Sequence, residues 1–83
     1  MNVTLYTKAG CHLCEEAMAE IRDAASSFDF ELVERDVEEN PEWEARYGLE
    51  IPVIFIDGRK AFKYRIPQGE LQKRLSRPTK PTP

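Results

Sequence analysis

The sequence predicts an α/β domain: a four-stranded mixed sheet flanked by three helices, in the order β-α-β-(α)-β-β-α. Three observations carry that expectation. An apolar strand near the start runs into a helical period and then into a second strand. Asp57-Gly58, a strong two-residue hairpin signal, separates two further strand-like runs. The length of 83 residues leaves room for one domain, which buries roughly 60–65% of the surface its unfolded chain exposes.

Val3 to Tyr6 reads as a buried strand, and Thr7-Lys8-Ala9-Gly10 as the turn after it. A helix is expected from about Cys11 to Ser26, because Cys14, Ala17, Met18, Ile21 and Ala25 recur at helical spacing. Glu15 and Glu16 fall in its first turn, where the helix dipole favours negative charge. Phe30 to Val33, extending to Arg35, reads as the second strand; a strand-helix-strand unit of this length makes the two strands parallel.

Asn40-Pro41 has the signature of a helix start, with Asn40 as cap and Pro41 at the first position, and Gly48 marks the stop. Trp43 and Tyr47 are one turn apart on that helix and are expected to pack on the sheet. Val53 to Ile56 is apolar without alternation, as in a central strand covered on both faces. Lys60 to Tyr64 is the return strand, placed at an edge where its lysines discourage further pairing. Pro67 is expected to start a last helix with Leu71 and Leu75 inward, and Pro78 to end it. The domain is therefore placed at residues 1–76, and residues 77–83, with three prolines and no apolar anchor, are expected to form a disordered tail.

The net charge of -3 conceals an asymmetry: residues 1–58 carry -10 and residues 59–83 carry +7. Two differently solvated faces account for it. Arg59, Lys60, Lys63 and Arg65 would otherwise attract an anionic partner. Nucleic acid is disfavoured, since the acidic part would repel phosphate. No apolar run approaches the ~18 residues of a membrane span, and Met1-Asn2 leads directly into the first strand. Cytoplasmic residence, without a membrane partner, is the expectation.

Chemistry is concentrated in Cys11-His12-Leu13-Cys14, which holds both cysteines of the chain. The pair closes too short a loop to stabilise the fold much, so a functional role is expected instead. A helix start offers unpaired N–H groups and the positive end of the dipole, both of which favour a thiolate. Cys-x-x-Cys motifs lower a free thiol pKa of ~8.5 to as little as ~3.5. Position and spacing thus favour reactive thiols over two inert small hydrophobes. Cys11 is nearer the exposed turn, whereas Cys14 belongs to the buried stripe. An accessible thiolate attacks first, and a sheltered neighbour displaces the partner afterwards. His12, with an ordinary pKa of ~6.5, would stabilise the Cys11 thiolate when protonated.

Leu5-Tyr6-Thr7-Lys8-Ala9-Gly10-Cys11-His12-Leu13-Cys14 resembles the opening of a glutaredoxin, and Tyr47-Gly48-Leu49-Glu50-Ile51-Pro52-Val53 with Phe55-Ile56-Asp57-Gly58 resembles that superfamily's second signature. The Cys-His-Leu-Cys-Glu-Glu-Ala run resembles the small glutaredoxin-like proteins, over about residues 3 to 76. The resemblance implies a thioredoxin-like fold of glutaredoxin type and a thiol–disulfide oxidoreductase acting on protein or small-molecule disulfides. It implies Cys11 as nucleophile and Cys14 as resolving thiol. It implies a cis Pro52, with the Ile51 backbone pairing to an extended substrate, and a Lys8 that lowers the Cys11 pKa or meets a glutathione carboxylate.

In one respect the chain departs from the pattern. Lys63-Tyr64-Arg65-Ile66-Pro67-Gln68-Gly69-Glu70 lacks the Gly-Gly pair of glutathione-using relatives, so that part of the pocket is missing or rebuilt. No tightly bound cofactor is expected, and either glutathione or a reductase stands as the electron donor of a monomer. Two other readings remain at this point: an iron–sulfur or other metal scaffold, which needs two subunits to supply four cysteines, and a non-catalytic binding module.

Overall fold

The computed structural model describes residues 1–76. The expected helix end at Pro78 and the expected tail lie outside the described residues. Four strands form one sheet: β1 (Asn2–Thr7), β2 (Glu31–Asp36), β3 (Val53–Ile56) and β4 (Arg59–Lys63), in the spatial order β2-β1-β3-β4. β1 pairs in parallel with β2 and antiparallel with β3, and β3 and β4 form the hairpin. Asp57 and Gly58 both take positive φ, 51° and 84°, which matches the twist of a two-residue turn. The hairpin also carries a register irregularity at Ile54/Phe55.

Three helices cover the sheet: α1 (His12–Ala25), α2 (Pro41–Tyr47) and α3 (Glu70–Ser76). α1 and α3 lie on one face, where Val3, Leu5 and Ile54 meet Ala17, Ile21, Ala24, Leu71 and Leu75. On the opposite face Tyr6, Val37 and Val53 form a second cluster, against which Trp43, Tyr47 and Phe55 pack. The alternation along β1 divides these sets, since successive side chains point to opposite faces. Trp43 and Tyr47 pack on Tyr6, with ring centroids 5.8 Å and 4.4 Å away. Asn40 caps α2 through its Oδ1, which accepts from the Glu42 N–H at 2.9 Å.

Several boundaries differ from the sequence expectation. Cys11 caps α1 rather than opening it, and the buried alanine of its last turn is Ala24, with Ala25 exposed. The second strand begins at Glu31, so Phe30 precedes it. A short 3-10 turn over Val37–Glu39, capped by Asp36, follows that strand and was not anticipated. The last helix begins at Glu70, not Pro67, because Gly69 adopts φ 81° and the Glu70 N–H closes a turn onto the Pro67 carbonyl. β4 ends at Lys63, since Tyr64 turns out of the sheet with φ 71°. Gly48 follows α2 as its C-cap in right-handed conformation (φ -56°), and a Cβ there would lie 2.6 Å from the Glu44 carbonyl oxygen.

Candidate redox site

β1 delivers the chain to one end of the sheet, and Gly10 (φ 80°) turns it into α1. That φ is a conformation L side chains rarely adopt, which explains glycine before the first cysteine. The turn is closed by the Cys11 N–H donating to the Lys8 carbonyl at 3.2 Å. Cys11, in extended conformation, is the N-cap of α1, and its Sγ accepts from the Cys14 N–H at 3.1 Å. The first cysteine sulfur therefore occupies the place where a capping oxygen usually sits. A negative sulfur there gains a hydrogen bond and the helix dipole together.

Cys14 lies one turn further on, 3% exposed, while Cys11 is half-buried. The two form a pair, with Cα atoms 5.2 Å apart. That separation falls within the ~4.4–6.8 Å range of disulfides. The difference in exposure follows from the helix stripe, which takes Cys14 inward with Ala17 and Ile21.

The other expected site residues divide into two sets. Ile51-Pro52 is a cis peptide, and Pro52 is buried. The register pairs Val53 with Tyr6, so Pro52 stands at the end of the sheet from which the cysteine turn departs. The preceding loop is pinned from the residue after β4: the Tyr64 N–H donates to both the Pro52 and Glu50 carbonyls, at 2.9 Å and 3.2 Å. Lys60 Nζ donates to Glu50 Oε1 at 2.8 Å. The backbone N–H and C=O of Ile51 have no hydrogen-bond partner among the described residues.

Lys8 and His12 are turned to other partners. Lys8 Nζ lies 3.9 Å from Glu38 of the 3-10 turn, and His12 Nε2 lies 3.1 Å from Glu16 on α1, with an 81% exposed side chain. Glu16 and Glu38 were not anticipated as partners. The i, i+4 spacing of His12 and Glu16 was readable in the sequence; Glu38 meets Lys8 only through the unanticipated turn. Sequence reasoning also missed a groove of about 600 Å³ that opens on Cys11 and Cys14 between α1 and β2. Among the described residues, no group of three or more His, Cys, Asp or Glu side chains assembles as a metal site. Nor is any described helix long and apolar enough to cross a membrane.

The Lys60 hydrogen bond holds the Glu50 carboxyl below its ordinary value of 4.5, burial opposes this, and the charges of Lys60 and Lys63 reinforce it. A carboxyl lowered on folding contributes stability that is present above its unfolded value and is lost as pH falls through the folded one. Lys60→Gln should therefore raise the Glu50 carboxyl toward its ordinary value and loosen the loop before Pro52. Carboxyl titration by NMR checks this; an unmoved Glu50 would contradict it.

A parallel–antiparallel four-stranded sheet, with a cysteine pair at the start of its first helix and a cis proline opening its third strand, defines a thioredoxin-fold protein. More narrowly, the family model for the glutaredoxin-like domain (DUF836) matches residues 2–76, and the chain belongs to that family. It is 30% identical over 77 residues to a "Glutaredoxin-like protein YDR286C homolog" of Dictyostelium discoideum, covering 86% of this chain and 71% of that one. Among solved structures, protein Ne2328 of Nitrosomonas europaea superposes with a TM-score of 0.75 at 26% identity, over 89% of each chain. Target protein XcR50 of X. campestris gives 0.71 at 28% identity, over 89% of this chain and 95% of that one. The NrdH-redoxin of Escherichia coli shares the fold at 24% identity, with a TM-score of 0.60 over the full length of both.

Proposed function

We propose that this protein is a thiol–disulfide oxidoreductase that cycles Cys11 and Cys14 between dithiol and disulfide. The observation that carries the reading is the capping position of the Cys11 sulfur, which accepts from the Cys14 N–H at the start of a 14-residue helix. The Cys11 thiolate attacks one sulfur of a substrate disulfide. The S–S bond breaks, and the other sulfur leaves as thiolate with the bonding pair. The Cys14 thiolate then attacks the Cys11 sulfur of the mixed disulfide, releasing the second substrate thiolate and closing Cys11–Cys14. Two electrons pass to the substrate, and solvent protonates its thiolates. A dithiol or two equivalents of a thiol return the protein to its reduced form.

The Ile51 backbone, unpartnered among the described residues, supports a role in holding the substrate as an added extended strand beside Pro52. His12 is paired with Glu16, so its part in tuning Cys11 is reached by exchanging that partner. No tightly bound cofactor enters the cycle, and the chain acts as a cytoplasmic monomer on protein or small-molecule disulfides, without nucleic acid. Glutathione and a reductase remain the two candidate donors.

The test is the redox equilibrium of the cysteine pair in graded glutathione buffers, read by mass after alkylation. The reading predicts one two-electron transition with little glutathione adduct. A persistent single adduct on Cys11 would replace it with a monothiol mechanism, and no transition at any poise would overturn it.

A further inference from the structure

The groove that opens on the cysteine pair has a charge that the redox cycle does not require. Its walls carry Glu15 from α1, Glu34 and Asp36 from β2 and Glu39 from the 3-10 turn, against Lys8 and Arg22. Lys8 is already drawn to Glu38, 3.9 Å away. Arg22 lies in the last turn of α1, about 16 Å along the helix from Cys11. Asp36 Oδ1 accepts from the Glu38 N–H at 2.8 Å. Four carboxylates face two cations in the lining, so the groove is negative on balance.

Glu34 of β2, the outer strand of the described sheet, and Glu39 are exposed along the groove. Charge complementarity selects which segment approaches such a groove. We infer that the groove docks an extended cationic segment of a disulfide-bearing protein, with lysine or arginine beside the cysteine that Cys11 attacks. Anionic disulfides are disfavoured by the same field. Glutathione disulfide is one of them, since each glutathionyl unit carries one net negative charge at neutral pH. This inference rests on the proposed redox cycle and names its substrate class.

The test uses the reduced full chain in single turnover with two synthetic peptides. Each carries one cysteine as a mixed disulfide with thionitrobenzoate, flanked by lysines in one and by glutamates in the other. Attack by Cys11 on the peptide sulfur releases the coloured thionitrobenzoate thiolate and leaves the peptide on Cys11; attack on the other sulfur frees the peptide thiolate, and Cys14 then displaces the coloured thiolate from Cys11. The wild-type rate constant should favour the lysine peptide about tenfold or more at low salt, and the preference should collapse at high ionic strength. Glu34→Gln with Glu39→Gln should cut the preference several-fold, and Arg22→Gln should increase it. These three side chains are exposed and lie outside the redox machinery. Equal rates for both peptides, or a preference unmoved by all three substitutions, would overturn the docking inference and leave the redox cycle standing. Release from neither peptide would overturn both.

Discussion

Replacing Cys11 with serine is expected to lower disulfide reduction by at least about a thousandfold. A serine hydroxyl is scarcely ionised at neutral pH, and the remaining thiol, Cys14, is buried. Cys14→Ser separates the two roles. Its Cys11 remains the cap of α1 and still attacks, but the mixed disulfide has no internal thiol to displace it. The Cys14→Ser variant should therefore accumulate a stable adduct with a disulfide peptide, whereas Cys11→Ser accumulates none. Intact-mass spectrometry of both variants after exposure to the peptide reads this directly. An adduct on Cys14 in the Cys11→Ser variant, formed as fast as that on Cys11, would reverse the assignment; the 3% exposure of Cys14 argues against that outcome.

The largest effect on stability is expected at Leu5. It is fully buried at the centre of β1, with β2 on one side, β3 on the other and Ile21 and Leu71 in the same cluster. Leu→Ala at such a site costs about 3 kcal/mol, from lost transfer energy and from the cavity left behind. A domain of this length has a total stability of roughly 4–12 kcal/mol, so one substitution removes a large share. In thermal unfolding with the cysteines reduced, Leu5→Ala should lower Tm by roughly 12–24 °C. Leu5→Met, which nearly preserves volume, should cost less than about 1.5 kcal/mol. Equal shifts for the two variants would show that packing at Leu5 is not what holds the sheet to its helices.

Both predictions draw on positions whose places in the fold were legible in the sequence. The strand-helix-strand opening, the Asn40-Pro41 helix start and the Asp57-Gly58 hairpin were readable because each depends on a local rule of period, cap or turn. The inward place of Cys14 was legible for the same reason, as it shares a helical stripe with Ala17 and Ile21. Boundaries were less so. Pro67 looked like a helix start, but Gly69 in the left-handed region delays the helix to Glu70, and a glycine's φ is not written in its side chain.

What the sequence by itself determined was the order of elements, the cysteine pair and its placement at a helix start, because these follow from neighbours a few residues apart. What only the tertiary structure decided was which charges meet around that pair. Lys8 finds Glu38 across a turn the pattern did not reveal, and Glu34, Asp36 and Glu39 converge with α1 on one groove only after β2 pairs in parallel with β1. Electrostatic partners are set by distances in space, and residues thirty positions apart acquire those distances only when the sheet closes.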